Sequence, residues 1–130
     1  MKAVNGVLAD TCLWIDFLKA APQSSGHMAG LISANALCVC GAVLFELLQG
    51  VRSDTEKKRI LSAIGGLSYY EMTQLAWHYA ADLSAGLKKS GTTVPLSDIL
   101  VAALAHQYDL MIFTHDQHFD HIPGVRLYRP

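Results

Sequence analysis

Four acids stand where short apolar runs break off or where a polar residue is hard to explain: Asp10, Glu46, Asp98 and Asp116. Gathered in one place, they would repel one another and raise their own pKa values unless a cation offset the charge. Oxygen donors alone favour magnesium or manganese over zinc. Such a centre suits phosphodiester hydrolysis, in which metal activates a water, holds the scissile phosphate and stabilises the leaving oxygen. Asp10 and Asp98 are the expected main metal ligands. Glu46 and Asp116 would complete the set directly or through water, and all four are the expected catalytic residues. Thr11 and Thr114 could hold ligands or bridging waters by hydrogen bonds.

Each acid also has a simpler use. Asp10 could cap a first helix, Asp98 could favour the positive N-terminus of its own helix, and Asp116 could be a turn residue. Glu46 is harder to dismiss, because Phe45, Leu47 and Leu48 flank it in an otherwise apolar helix. The combination carries the reading.

The elements that would position these acids alternate. Residues 4–9 form a short apolar run stopped by Asp10, which reads as a buried strand. Leu13, Trp14, Phe17 and Leu18 then recur at helical spacing up to the break at Ala21-Pro22, with a second short helix expected over 24–32. Residues 36–40 read as the next strand, and Val43, Leu44, Leu47, Leu48 and Val51 mark a helical stripe. Ser53 and Asp54 offer an N-cap for a helix over 55–64, closed by Gly65-Gly66. A brief strand over 67–70 and a long helix over 73–89 follow. Ser97 is the expected N-cap of the helix after Pro95. Residues 110–113 give the clearest strand, and 125–128 a further one. Short apolar strands alternating with helices imply a three-layer α/β/α sandwich around a parallel sheet of four to five strands. In such a sheet the four acids fall at the carboxyl edge, where ligands bind.

A chain of 130 residues is expected to form one domain over 1–130. Its net charge of -1 argues against holding nucleic acid by bulk positive charge. With 52% apolar and 16% charged residues, some apolar surface should be covered by a second copy or another protein. Cys12, Cys38 and Cys40 make no disulfide framework and read as reduced thiols. No apolar stretch is long enough to span a membrane, and the start resembles neither a signal nor a transit peptide, so a cytoplasmic protein is expected.

At this point four blocks resemble the PIN-domain family. They are Leu8-Ala9-Asp10-Thr11 with Trp14-Ile15-Asp16-Phe17-Leu18, then Leu44-Phe45-Glu46-Leu47-Leu48-Gln49-Gly50, then Pro95-Leu96-Ser97-Asp98-Ile99-Leu100-Val101-Ala102-Ala103, and finally Leu110-Met111-Ile112-Phe113-Thr114-His115-Asp116-Gln117-His118-Phe119. Their order and spacing are the family's. The compact length is similar to VapC-type toxins, the nuclease halves of toxin–antitoxin pairs. That resemblance implies a PIN-like fold, magnesium-dependent endoribonuclease activity on cellular RNA, a homodimer, and inhibition by a VapB-type antitoxin. DNA would be bound only indirectly, through the antitoxin. The family pattern transfers to Asp10, Glu46, Asp98 and Asp116, with Thr114 in the polar position before the last acid and Asp120 as a second-choice ligand. Cys12 departs from a position where the family more often has a small polar residue.

Other features rank lower. His115, His118 and His121 recur every three residues, but in a loop segment, and ordinary loop histidines that touch RNA phosphate are favoured over a metal role. Lys57-Lys58-Arg59 and Lys88-Lys89 read as solvated helix faces that could contact an RNA backbone. Trp14, Tyr69, Tyr70, Trp77 and Tyr79 suit a core or dimer interface better than base stacking. A non-catalytic PIN-like binding module would be expected to lack one or more of the acids. A haloacid dehalogenase-type phosphatase needs a second Asp where Cys12 stands.

Overall fold

The structure, a computed structural model, describes residues 6–19 and 22–130. Positions 4 and 5 of the expected first strand, and Ala21 of the expected helix break, lie outside them. Four short strands form the sheet: β1 (Val7–Ala9), β2 (Leu37–Cys40), β3 (Ser68–Tyr70) and β4 (Met111–Phe113). Every residue of β1 and β2 is buried. That leaves neither face of these strands to solvent, as a parallel sheet covered on both sides requires.

All pairings are parallel, and the strand order is β3-β2-β1-β4. Leu8 pairs with Cys38 on one side and with Ile112 on the other. The chain therefore winds outward from β1 through β2 to β3, then returns to place β4 on the opposite flank of β1. That reversal makes the carboxyl end of β1 the topological switch point, where a crevice opens between diverging connections.

Six helices fill the connections among the described residues: α1 (Thr11–Leu18), α2 (Pro22–Ser33), α3 (Gly41–Gln49), α4 (Asp54–Ile64), α5 (Gln74–Lys89) and α6 (Leu96–Tyr108). Ser53 caps α4 as expected, accepting from the Glu56 N–H at 3.1 Å, and Thr73 caps α5 in the same way through the Ala76 N–H at 3.2 Å. Helix α6 is apolar almost all round and buries Ile99, Val101, Ala102, Ala103, Leu104 and Ala105. It belongs to the core rather than to the surface.

Two local expectations are corrected. Ser97 is not an N-cap: the Pro95 carbonyl accepts from Asp98 at 3.1 Å and Ile99 at 3.2 Å, so the helix has already begun at Leu96. Residues 125–128 form no strand. They make one parallel bridge, Leu127 to Ile112, on the edge of β4.

Trp14 and Phe119 are the bulkiest fully buried side chains. Trp14 fixes α1 under the sheet, and Phe119 ties down the loop after β4. Apolar surface remains, as composition suggests: Phe45, Leu75 and Leu96 are about two-thirds exposed or more, at 66%, 71% and 70%. No helix among the described residues is long and apolar enough to cross a membrane.

Gly6 shows how tightly the strands converge. A Cβ there would lie 2.5 Å from Cys38 Sγ and 2.9 Å from Leu110 Cδ2. Gly6→Ala is therefore expected to cost about 1–3 kcal/mol, the usual penalty of overpacking. Urea unfolding checks this, and an unchanged midpoint would contradict the close approach.

Candidate active site

Asp10 directly follows β1, at the switch point, and is 6% exposed. Its two oxygens have different partners. Oδ1 accepts from the Thr11 N–H at 2.8 Å, which caps α1. Oδ2 accepts from the Thr114 hydroxyl at 3.0 Å, across the sheet from the end of β4. The capping role and a site role thus coexist in one carboxylate.

Thr11 also serves twice. Its hydroxyl donates to Glu46 Oε1 at 2.7 Å, joining the start of α1 to the middle of α3. Glu46 is half-buried, while Val43 and Leu47 of the same helix enter the core. This resolves the oddity of an acid in an apolar helix, because α3 turns Glu46 toward the residues after β1.

Beyond β4, the Asp116 N–H donates to Thr114 Oγ1 at 2.9 Å. Asp116 Oδ1 then accepts from the His118 N–H at 2.8 Å and caps a short 3-10 helix, Gln117–His121. Phe119, 1% exposed, anchors that turn. Asp98, 6% exposed, faces the turn from the first turn of α6. The His118 ring closes the arrangement: Nδ1 lies 3.0 Å from Asp98 Oδ2 and 3.0 Å from Asp116 Oδ1.

The site therefore has two halves. Asp10 and Glu46 are linked through Thr11. Asp98, Asp116 and His118 form a tighter group whose donor atoms lie within 4.8 Å of one another. Thr114 joins the halves, donating to Asp10 and accepting from Asp116. Cys12 touches the junction, its Sγ 3.8 Å from Asp10 Oδ2 and 3.7 Å from Thr114 Oγ1. Burial raises the Cys12 pKa above the usual thiol range, which keeps a proton on sulfur for donation to Asp10.

Charge is unbalanced here. Burial raises the Asp10 pKa, against the hydrogen bonds from Thr11 and Thr114, and the charges of Glu46 and Asp116 raise it further. Burial also pushes Asp98 up to about 6, with help from Asp10 and Asp116, although His118 opposes the shift. The His118 pKa is raised, first by its hydrogen bond to Asp98 and then by the charge of Asp116. Both buried acids resist ionisation, and the one basic ring in the group is drawn toward the cationic form. A bound cation would relieve this imbalance. A divalent metal ion fits these oxygen donors.

Residues named from sequence fare as follows. Asp10, Glu46, Asp98 and Asp116 all reach the carboxyl edge, and Thr11 and Thr114 each hold an acid by a hydrogen bond. Asp120 turns away to Arg129, 3.7 Å distant. His115 pairs with Asp16 at 3.4 Å, outside the tight group. His118 is the residue that sequence reasoning undervalued. Its signal was the spacing Asp116-x-His118, which a 3-10 turn folds back on itself.

Residues 7–125 match the family described as PIN domain. A search of curated proteins finds no match. Among solved structures, the chain resembles VapBC2 from Rickettsia felis bound to a promoter DNA fragment, with TM-score 0.81 and 16% identity over 94% of this chain and 96% of that one. It is similar to DNA-bound VapBC from Salmonella typhimurium, with TM-score 0.80 and 24% identity over 96% and 98%. It also resembles the Sarcin-Ricin loop cleaving toxin VapC20 of Mycobacterium tuberculosis, with TM-score 0.70 and 14% identity over 96% and 100%. These likenesses establish the fold. The family match runs from β1 past the 3-10 turn and so spans all four acids: the chain belongs to the PIN domain family.

Proposed function

We propose that the chain is a magnesium-dependent endoribonuclease, with manganese as a substitute ion, and the toxin of a type II toxin–antitoxin pair. The carrying observation is the meeting of Asp10, Glu46, Asp98 and Asp116 at the β1 switch point, two of them buried and reluctant to ionise.

Asp10 and Asp98 would hold the metal, with Glu46 and Asp116 beside them. Bound metal would supply charge neutralisation at the scissile phosphate and a water acidic enough to act as nucleophile. Glu46, oriented through Thr11, would accept a proton from the attacking water. Thr114 keeps Asp10 aimed and the Asp116 turn in place. Thr114→Val is expected to lower cleavage by about 10–100-fold, the usual cost of losing a group that orients a ligand. Initial rates on an RNA substrate check this, with circular dichroism to verify folding.

A groove of about 660 Å³ borders Glu46 and carries Lys19, Arg52 and Arg59, cations suited to an RNA backbone. The family membership and the VapBC likenesses support a VapB-type antitoxin as inhibitor, with promoter DNA bound through the antitoxin. The exposed Phe45, Leu75, Trp77 and Leu96 would supply apolar surface for a homodimer. The site of action would be the cytoplasm, and the chain a single nuclease domain.

The test is incubation of total cellular RNA with purified, antitoxin-free protein, with magnesium or with EDTA. Discrete fragments that require magnesium are expected. Intact RNA under every condition would overturn the enzyme and favour a non-catalytic PIN-like binding module.

A further inference from the structure

We propose that His118 is itself a metal-ligating residue, a nitrogen donor that raises this site's affinity for first-row transition ions, such as manganese, above that of an all-oxygen site. The inference rests on the four-acid reading above and adds a donor to it.

The geometry centres on one atom. His118 Nδ1 lies 3.0 Å from an oxygen of each of two carboxylates. A ring nitrogen carries in its plane either one proton or one lone pair. Without metal, an Nδ1 proton is held in a hydrogen bond to Asp98 Oδ2, and a bound ion would take the place of that proton. A bare lone pair would face two anions. A cation seated among the three donors satisfies them all. In octahedral coordination with bonds of 2.0–2.1 Å, neighbouring donors sit about 3.0 Å apart. That is the separation Nδ1 keeps from both oxygens.

The donors are also held in place. Asp116 Oδ1 is fixed by the N–H of His118 itself at 2.8 Å, so ring and carboxylate belong to one capped turn. Phe119, the next residue, is buried at 1% exposure and pins that turn to the core. Asp98 is buried in the first turn of α6. The ring is half-exposed, with 48% of its side chain accessible, so an ion can reach it from solvent.

The chemistry then sets the gain in affinity. Magnesium binds through oxygens and keeps several waters, and it gains little from imidazole. First-row transition ions gain from a nitrogen donor, rising from manganese through cobalt and nickel. An acid at position 118 would have given an all-oxygen site.

The experiment uses Mn2+ as the probe on the full chain. Pulsed electron paramagnetic resonance of the Mn2+-loaded protein reads directly whether a nitrogen is bound. Calorimetric titration with Mn2+ and with Mg2+ gives the ratio of affinities, for wild type, His118→Ala and His118→Asp. Nitrogen modulation is expected in wild type and absent from both variants, and the Mn2+/Mg2+ affinity ratio should fall about tenfold or more on losing the imidazole. Mn2+ bound to wild type without nitrogen modulation, or an unchanged ratio in both variants, would overturn the proposal while leaving the four-acid site standing. Wild-type protein that binds neither ion would overturn both.

Discussion

Asp98→Asn and Asp10→Asn are each expected to lower RNA cleavage by about 10³-fold or more, with the fold retained. A group that merely orients a metal ligand costs about 10–100-fold when removed. The ligand itself must cost more, because the charge that holds the cation goes with it. The two acids sit in different halves of the site: Asp10 is linked to Glu46 through Thr11, and Asp98 groups with Asp116 and His118. If one ion centre spans both halves, either change alone should reach nearly the full loss, and the double variant should add little. Rates under excess enzyme check this. Full additivity of the two losses would mean that the halves act separately.

The second expectation runs against the first in sign. The same Asp98→Asn change should stabilise the metal-free protein at pH 7.5. Asp98 has its pKa raised from 3.8 to about 6 in the folded state. The folded state therefore binds more protons than the unfolded one between those values, and stability falls as pH rises through that window. Above it the ionised carboxylate costs on the order of 2–3 kcal/mol. Asp10 is raised as well and acts in the same direction. So does His118: a raised histidine stabilises the fold below its ordinary pKa, and that contribution is lost as pH climbs past the folded value.

EDTA-treated wild type should accordingly lose stability relative to Asp98→Asn between pH 4 and pH 7.5. The midpoint difference should reach roughly 10 °C for a chain of this size. Magnesium or manganese added at pH 7.5 should close that gap by stabilising wild type alone. Thermal melts at the two pH values, with and without metal, read both effects. A variant less stable than wild type at pH 7.5 without metal would show that the Asp98 charge is already compensated within the fold.

Much of this arrangement was legible in the residues. Continuous apolar runs located β1 and β4, because a parallel strand buried on both faces reads as an unbroken apolar stretch. Ser53 announced its helix because a cap is a local interaction between near neighbours. Where an outcome depended on distant pairing, the sequence was silent. Residues 125–128 have the composition of a strand, yet they meet β4 only at the single bridge between Leu127 and Ile112. Ser97 has the right chemistry for a cap, but the Pro95 carbonyl already accepts from Asp98 and Ile99, so the helix begins before it. The strand order that makes β1 the switch point is a property of the whole chain, as is the crowding at Gly6.

The site divides along the same line. Four acids could be named because charge among apolar residues needs a reason. Glu46 shows it best, since no local pattern explains it and Thr11 does, 35 residues away. His118 could not be singled out from three evenly spaced histidines. Only the fold separates them: the 3-10 turn folds His118 back over Asp116, while His115, before that turn, pairs with Asp16.

The most direct test of the account is a calorimetric titration of magnesium into the metal-free protein at pH 7.5, repeated with Asp10→Asn and Asp98→Asn. Saturable binding to wild type that weakens sharply in both variants is expected. Binding of equal strength in all three proteins, or none in wild type, would contradict a metal centre built on these carboxylates.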